Sequence, residues 1–405
     1  MSDPSDARPL RGLRVLEFSH TVMGPCAGLI LADLGADVVK VEPAPDGDRT
    51  RDLAGFAAGF FATFNRNKRS LAVDLKTPEG QALVHELADG TDVVLDNYGP
   101  GTLERLGCGW ETLSARNPAL VHLSLKGFLK GPGQHRPALD EVVQFHSGLA
   151  YMTGPPGRPL RAGASVVDIL GAVFGVVGVL SALRERDATG RGQRVGGALF
   201  ESAAFLMAPH VAGGACAGEP VPPMTERRGA WGVYDVFRSR DGVPLFVGVT
   251  GDAQWRRFCR ELDLASLLED ESLATNARRV RARDRLVPLL TAHFRTLDHE
   301  RMRTACEAAE VSWAPVGRPE DLVDDEQLRA PGGLLDVALS TARAAAGERA
   351  RLPALPLEFG PARERAGLYR QPPAPGEHTR AVLLERGVDA GRVERLLEAG
   401  VLRQS

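Results

Sequence analysis

A single aspartate stands directly before a long run of small and apolar residues in the middle of the chain. Asp168 precedes residues 169–183, which are all apolar or small. Gly171, Gly175 and Gly178 recur at intervals that place them on one face of a helix. Because each glycine inside a helix costs about 1 kcal/mol relative to alanine, we expect another backbone or a ligand to pack closely against this face. Asp168 would then lie near the N-terminus of that helix.

Two roles for Asp168 agree with this position. An aspartate at the start of a helix commonly caps it, because the carboxylate accepts hydrogen bonds from free backbone amides. A carboxylate held ionised by the helix dipole beside apolar surface is also suited to act as a nucleophile. The stretch from Arg161 to Arg186 leaves both roles open.

Basic residues form a second group of candidates, because they cluster where strands are predicted to begin or end. Lys68 and Arg69 precede a predicted strand at 70–75, Arg105 follows a glycine-proline turn, and Lys126 follows a further predicted strand. The carboxyl ends of parallel strands are where α/β sheets bind ligands, and cations at that edge would suit phosphates. The alternative for each of them is a solvated surface charge.

The sequence lacks the motifs of the commonest cofactors. The first predicted strand is followed by SHTVMGPCAG, without the glycine pattern that dinucleotides require. There is no phosphate-binding loop, nucleophile elbow or HExxH motif. His135 and His146 have no third ligand at metal-like spacing, and the five cysteines are scattered without a CxxC pair. We therefore expect catalysis without a metal, a nucleoside triphosphate or a tightly bound redox cofactor.

Length and composition limit the class of protein. A chain of 405 residues exceeds one ordinary core, so two domains are expected. The content of 43% hydrophobic and 25% charged residues is that of a soluble globular protein. A formal charge of −3 gives no reason to expect nucleic acid or an anionic membrane. The N-terminus has no apolar signal core, and residues 169–183 are too short and glycine-rich for a membrane span, so a cytoplasmic location is predicted.

The order of predicted elements indicates an α/β fold that opens with a βαβ unit. Strands are predicted at 13–18, 37–41, 70–75, 92–97 and 119–125, and helices at 24–34, 78–89 and 140–150 and from Asp168 onward. Residues 211–224 are interpreted as a linker, and Asp241-Gly242 as a hairpin turn. Later helices are predicted at 253–262, 284–295, 299–309 and 389–398.

Several segments together resemble the class III CoA-transferase family, which includes formyl-CoA, carnitine and aryl-acid CoA-transferases and the 2-methylacyl-CoA racemases. They are LRVLEFSHTVMGP, LGADVVKVEP, NRNKRSLAVDLKTPEG, DNYGPGTLERLG, the aspartate before the glycine-striped helix, and TGRGQRV. The resemblance implies a large Rossmann-like domain formed by both chain ends, here 1–210 and 326–405. It also implies a small inserted α+β domain, 226–325, and a homodimer whose two ring-shaped subunits interlock.

The same resemblance assigns roles to residues. Asp168 matches the nucleophile, which forms aspartyl anhydrides and an aspartyl-CoA thioester while CoA passes from an acyl-CoA to a small carboxylic acid. The CoA-binding segments of the family match Val22, Met23, Val73, Asp74, Leu75, Lys76, Asn97, Tyr98 and Arg105.

Three positions depart from particular branches of the family. Members that use oxalate have an arginine where Pro43 stands, and a glycine-rich loop that this chain lacks, so oxalate and formyl-CoA are disfavoured. Racemases have a histidine at the position of Leu139 and a glutamate near Asp252. A racemase therefore remains an alternative that Leu139 opposes, and a CoA-binding protein without turnover is one that Asp168 opposes.

Overall fold

The computed structural model describes residues 8–226, 229–339 and 347–405. The strands are β1 Arg14–Phe18, β2 Asp37–Pro43, β3 Arg69–Val73, β4 Val93–Asp96, β5 Val121–Lys126, β6 Arg194–Ala198, β7 Val233–Arg238, β8 Pro244–Val249, β9 Ser312–Pro315, β10 Leu334–Ala338, β11 Arg349–Pro353, β12 Glu358–Phe359, β13 Glu364–Arg365 and β14 Leu402–Arg403. The helices are α1 Met23–Asp33, α2 Phe60–Phe64, α3 Pro78–Asp89, α4 Thr102–Arg105, α5 Trp110–Arg116, α6 Asp140–His146, α7 Leu149–Thr153, α8 Val166–Thr189, α9 Leu199–Ala217, α10 Asp252–Glu261, α11 Ala265–Leu268, α12 Asn276–Arg281, α13 Arg283–Phe294, α14 His299–Ala308, α15 Glu326–Arg329, α16 Thr379–Glu385 and α17 Ala390–Glu398.

Contacts within the chain form two compact units. The first comprises Met1–Thr225 and Asp325–Ser405, and the second comprises Glu226–Asp324. The first unit is therefore assembled from the two ends of the chain, with the second inserted between them.

The first unit is built on a seven-stranded sheet in the order β14-β3-β2-β1-β4-β5-β6. The strands from β3 to β6 are parallel, whereas β14 joins the edge of β3 in the antiparallel direction. Strand order reverses at β1, whose neighbours are β2 and β4. In such sheets a crevice for ligands opens at this switch point, outside the carboxyl ends of the strands.

Helices cover both faces of this sheet, because its strands are buried and nearly continuously apolar. On one face α1, α8 and α9 pack against side chains such as Val15, Leu95 and Leu123. On the other face α3, α5, α16 and α17 pack against Leu16, Val94 and their neighbours. The alternation of strands and helices predicted from sequence is confirmed for this α/β unit.

The glycine stripe of α8 faces the sheet and α1. A Cβ atom at Gly178 would lie 2.6 Å from Val195 Cγ1, and one at Gly175 would lie 2.9 Å from Leu125 Cδ2. At Gly171 the Cβ would lie 2.4 Å from the methyl carbon of Met23. The stripe therefore lets α8 approach β5, β6 and α1 more closely than any larger residue would allow.

The described helix α8 is longer than the apolar run in the sequence. It has 24 residues, and by length and composition it could cross a membrane, although 44% of its most apolar window is buried within the fold. Another difference concerns residues 211–217, which continue α9 rather than belonging to a linker. The proline-rich residues 220–223 begin only after a glycine, Gly218, ends that helix in a left-handed conformation.

The second unit contains the antiparallel sheet β7-β8-β9. The predicted hairpin joins β7 to β8, and Gly242 in its turn has a φ of +83°. Buried residues from α10, α13 and α14, including Trp255, Leu290 and Met302, cover one face of the sheet.

Candidate active site

A cavity of about 740 Å³ lies at the carboxyl edge of the main sheet, where β1, β4 and β5 end. It is called the Asp168 crevice below. Its polar lining residues are His20, Thr21, Asn97, Tyr98, Lys126, Arg136, Asp140, Glu141, Ser165 and Asp168. Its apolar lining residues include Val22, Met23, Leu53, Phe56, Phe60, Leu139, Val142 and Leu199. The crevice is therefore at the place where a parallel sheet of this strand order binds ligands.

Asp168 is the third residue of α8 and lines the crevice. No hydrogen bond or ion pair from the residues that the structure describes reaches its carboxylate. Burial, together with the smaller effect of the negative charges of Asp140 and Glu141, raises the pKa of this carboxyl group to about 7. The carboxyl group of Asp168 therefore has no bonding partner among the described residues, and it gains or loses its proton near neutral pH.

A different aspartate caps helix α8. Oδ2 of Asp140 accepts hydrogen bonds from the backbone amides of Val167, at 2.9 Å, and Asp168, at 3.0 Å. The Gln144 side chain donates to the other oxygen of Asp140 and accepts from the amide of Ala162 at 2.8 Å. Asp168 is therefore not the N-cap, and the amides expected to keep it ionised are occupied by Asp140.

The loop between β1 and α1 forms one wall of the crevice, and Asn97 holds it there. Asn97 Oδ1 accepts from the backbone amide of His20 at 3.0 Å, and its Nδ2 donates to the His20 carbonyl at 2.9 Å. Thr21 has a φ of +68°, which is uncommon for a residue with a branched side chain. Its amide donates to Thr50 Oγ1 at 2.9 Å. Three hydrogen bonds thus fix the position of this short loop.

A buried network of charges lies beneath the same loop. Lys68 Nζ is 2.8 Å from Glu17, and Lys40 Nζ is 2.9 Å from Asp48. Lys40 also donates to the carbonyl oxygen of Ser19 at 2.7 Å. Because each of these buried charges has an opposite partner, the network supports the loop instead of exposing cations to a ligand.

The prediction that Lys68 and Arg69 suit phosphates is therefore wrong. Lys68 is fully buried against Glu17, and Arg69 is paired with Asp37 and Glu385, each at 2.5 Å. Glu17 in β1 and Lys40 in β2 could have indicated this pairing from sequence, since a charged residue in the middle of a buried apolar strand requires an opposite charge nearby.

The predicted CoA-binding residues occupy two places. Val22, Met23, Asn97 and Tyr98 line the Asp168 crevice. The segment Val73–Lys76 consists of the last residue of β3 and the loop after it, at the same edge of the sheet, and Arg105 lies in α4. None of these five residues lines the crevice. The Lys76 side chain is exposed, and Arg105 donates to Thr102 Oγ1 at 2.8 Å.

Lys126 was only a general candidate for phosphate binding, and His20 and Arg136 were not singled out from sequence, although all three line the crevice. Lys126 is bound to Asp96, and it donates to the Tyr98 carbonyl at 2.7 Å. The Arg136 guanidinium lies 5.3 Å from the centre of the Phe128 ring and forms no ion pair with the described residues. His20 adds an imidazole. His20 could have been found from its position in the turn directly after β1, whereas Arg136 lies in an irregular segment that shows no sequence pattern.

Comparisons with known proteins identify the family of the chain. A model of CoA-transferase family III matches residues 10–379. Succinate–glutarate CoA-transferase of Agrobacterium fabrum is 33% identical over 396 residues, which cover 94% of this chain and 96% of that protein. Succinyl-CoA:mesaconate CoA-transferase of Haloarcula hispanica is 32% identical over 401 residues, covering 95% and 98%.

The architecture agrees as well. The crystal structure of a CaiB/BaiF family protein from Brucella suis superimposes with a TM-score of 0.80 and 31% identity, covering 93% of this chain and 99% of that one. The family match, the full-length relatives and the fold lead to one conclusion. The chain belongs to CoA-transferase family III and is an enzyme that moves CoA from an acyl-CoA to a carboxylic acid.

Proposed function

We propose that Asp168 is the covalent nucleophile of this transfer. The observation that carries the proposal is a carboxylate in the switch-point crevice that accepts no hydrogen bond from the described residues. An aspartate with a structural role would instead be held by donors, as Asp140 is. The carboxylate of Asp168 is left available to attack.

The chemistry follows from this residue type. An oxygen of ionised Asp168 attacks the thioester carbonyl carbon, and the C–S bond breaks to give an aspartyl–acyl anhydride and CoA thiolate. The thiolate attacks the aspartyl carbonyl, which releases the first acid and leaves an aspartyl-CoA thioester. The acceptor carboxylate attacks that thioester, and the returning thiolate then takes the acyl group of the second anhydride. Each step exchanges one activated carboxyl for another, so no ATP is consumed.

The raised pKa of Asp168 is consistent with this role. Burial and the nearby charges of Asp140 and Glu141 disfavour the ionised carboxylate. An ionised form that is poorly solvated and close to other negative charges loses less on forming a neutral anhydride. As a consequence, Asp168 is protonated, and therefore unable to attack, in a fraction of the molecules at neutral pH.

For CoA we propose a path along the carboxyl edge of the main sheet. The thioester end would lie in the crevice beside Val22, Met23, Asn97 and Tyr98. The nucleotide end would extend toward Val73–Lys76 after β3, and Arg105 in α4 would add a second cation near the path. The support is that these segments share one edge of a parallel sheet, and that the two cations are exposed. CoA would act as a substrate, without a tightly bound cofactor.

For the acids we propose dicarboxylates, with succinyl-CoA as donor and a dicarboxylate such as glutarate as acceptor. Relatives that cover nearly the whole chain are named for succinate, glutarate and mesaconate. Arg136 supports this choice, because it brings a guanidinium to the crevice wall, where a second carboxylate would find a partner.

A mass-spectrometric screen tests the proposal. Succinyl-CoA would be offered to dicarboxylates (glutarate, mesaconate, malate) and to matched monocarboxylates (butyrate, propionate), and new CoA thioesters would be measured. We expect transfer to at least one dicarboxylate, at a rate well above that for the monocarboxylates. Asp168→Ala should lose transfer by orders of magnitude, whereas Asp187→Ala, an exposed acid on the same helix, should not. A fully active Asp168→Ala variant would contradict the covalent role.

The racemase alternative receives no support from the site. Racemisation needs two acid–base groups on opposite faces of the substrate, and the crevice has Leu139 where a racemase has histidine. Asp252 is held by Arg279 at 2.6 Å, and this hydrogen bond lowers the pKa of its carboxyl group. Incubation of a 2-methylacyl-CoA in D₂O would reveal α-deuteration if the racemase alternative were correct.

We also propose that two copies form the predicted interlocked homodimer. The support is an exposed apolar surface on α8 and α9, called the α8–α9 face below. Its members are Ile169, Val173, Phe174, Val177, Leu180 and Phe205. Exposed apolar surface on this scale is typical of an interface. The cytoplasmic location stays a prediction.

A further inference from the structure

Several contacts restrain His20 at the edge of the crevice, although the residue keeps an exposed surface. Its backbone amide and carbonyl are both bound by Asn97. Its ring stacks on Tyr98, with centroids 5.7 Å apart and an interplanar angle of 19°. Its Nδ1 lies 2.7 Å from Thr21 Oγ1. The Thr21 backbone is itself held in its left-handed conformation by Thr50. A ring that only covered surface would not need this many constraints.

The charge state of the ring follows from its surroundings. Burial lowers the pKa of the His20 imidazole; Asp48 opposes this effect, while Lys40 and Lys126 add to it. The ring is therefore neutral near pH 7, with one donor and one acceptor nitrogen. When the Thr21 hydroxyl donates to Nδ1, the proton of the ring is on Nε2. Within the described part of the chain, no hydrogen bond occupies Nε2.

We propose that Nε2–H of His20 donates a hydrogen bond to the acyl oxygen of the thioester while Asp168 attacks. This inference rests on the proposed covalent role of Asp168, whose crevice His20 also lines. When an oxygen of Asp168 bonds to the thioester carbon, the π electrons of the carbonyl move onto its oxygen. When the C–S bond breaks, those electrons re-form the carbonyl and the bonding pair leaves on sulfur. The proton stays on Nε2 throughout, so the step needs neither an acid nor a base.

The imidazole of His20 suits this task for two reasons. A donor placed where negative charge develops stabilises the transition state more than the ground state, so it raises kcat more than it lowers KM. The orientation set by Asn97, Tyr98 and Thr21 removes the cost of ordering the donor during the reaction.

Three variants test this role. His20→Phe keeps a ring that can stack on Tyr98 but removes the donor. His20→Gln keeps an amide N–H near the position of Nε2. The control is His146→Phe, since His146 also packs against an aromatic ring, that of Phe200, with centroids 4.8 Å apart, but does not line the crevice. For each, kcat and KM for succinyl-CoA would be measured, and the rate of covalent adduct formation on Asp168 would be followed by acid quench and mass spectrometry.

We expect His20→Phe to lower kcat and the rate of adduct formation by roughly 10²- to 10³-fold, the usual loss for one oxyanion donor. Its KM should change by less than about threefold. His20→Gln should recover at least about tenfold of that loss, and His146→Phe should behave as wild type. A His20→Phe variant with normal kcat, or one whose defect lies in KM alone, would overturn the inference.

Adduct formation separates this inference from the one on which it rests. If wild type forms no adduct on Asp168, both proposals fail. If wild type and His20→Phe form the adduct at the same rate, only the role of His20 fails. Thermal melting of each variant would identify a loss of activity that is due to misfolding. In that case His20→Gln, which keeps a polar side chain in the loop, decides the question.

Discussion

The carboxylate of Asp168 is surrounded by acids rather than by donors. Asp140 takes the helix amides, and Glu141, which is 3.5 Å from Arg161, adds a second negative charge near the site. Both neighbours push the pKa of Asp168 upward beyond the effect of burial. The reactivity of this residue is therefore controlled by its neighbours, and it should be visible in the pH dependence of the enzyme.

The first prediction concerns that pH dependence. Because attack requires the ionised carboxylate, kcat/KM should rise with pH through an apparent pKa of about 7. Glu141→Gln removes a negative charge and frees Arg161, so the pKa of Asp168 should fall and the rising limb should move to lower pH by a fraction of a unit. Asp187→Asn is the charge-matched control, and its profile should be unchanged. A rising limb near pH 4 in wild type would contradict the prediction.

The second prediction concerns folding stability, which should depend on pH through the same carboxyl group of Asp168. The carboxyl group titrates near 7 in the folded chain and near 3.8 when unfolded, so the folded state binds more protons between these pH values. Folding is therefore weakened as pH rises from about 4 to 7. Asp168→Asn abolishes this loss and should be more stable than wild type by up to about 4 kcal/mol at pH 8, with little difference at pH 4. Urea unfolding at both pH values, without CoA, measures this; a gain independent of pH would count against it.

At the scale of single elements, the loops after β3 and β4 determine where CoA can bind. Lys76→Ala and Arg105→Ala should each raise the KM for the CoA thioester more than they change kcat, because contacts to the nucleotide end persist through the reaction. Steady-state kinetics with succinyl-CoA measures both values. If KM is unchanged in both variants, the proposed path along the sheet edge is wrong.

Gly80 lets helix α3 pack closely against the loop that follows β3. Thr77 caps the helix by accepting from the Gly80 amide at 3.1 Å, and a Cβ at Gly80 would lie 2.2 Å from the Asp74 carbonyl oxygen. Gly80→Ala would therefore displace residues 74–77, despite the better helix propensity of alanine. We expect a higher KM for the CoA thioester and a lower melting temperature. Gly367→Ala, where the added Cβ meets no atom within 4 Å, is the control and should change neither.

Elements that can be recognised from local pattern were predictable, whereas contacts between distant segments were not. The alternation of apolar strands with capped helices predicted β1 to β5 and α3. The cap of α8 comes from Asp140, 28 residues earlier, and no local pattern relates the two. The linker prediction failed because glycine and small residues at 211–217 are also tolerated on a helix. For the site, motif position indicated the residues after β1 and β4, but the charge pairing that buries Lys68 depends on the folded sheet.

At the scale of the whole molecule, the composition of α8 needs an explanation beyond the sheet it covers. Its glycine face is buried, while Val173 and Val177 on its other face are 42% and 53% exposed. Phe205 of α9 is 64% exposed, with its ring 5.3 Å from that of Phe174. A second copy of the chain, as proposed above, would remove this apolar surface from water.

The last prediction concerns the interlocked homodimer. Light scattering should give twice the chain mass of 43.3 kDa, and the mass should persist on dilution. Linked rings cannot part unless one ring opens, so two differently tagged preparations, once mixed, should exchange subunits only under conditions that unfold them.

Val177→Asp places a charge on the α8–α9 face and should lower the yield of folded dimer. The control is Leu384→Asp, since Leu384 on α16 is similarly exposed at 48% but lies outside that face. Rapid exchange under native conditions would contradict interlocking but not dimerisation, and an active, stably folded monomer would contradict both.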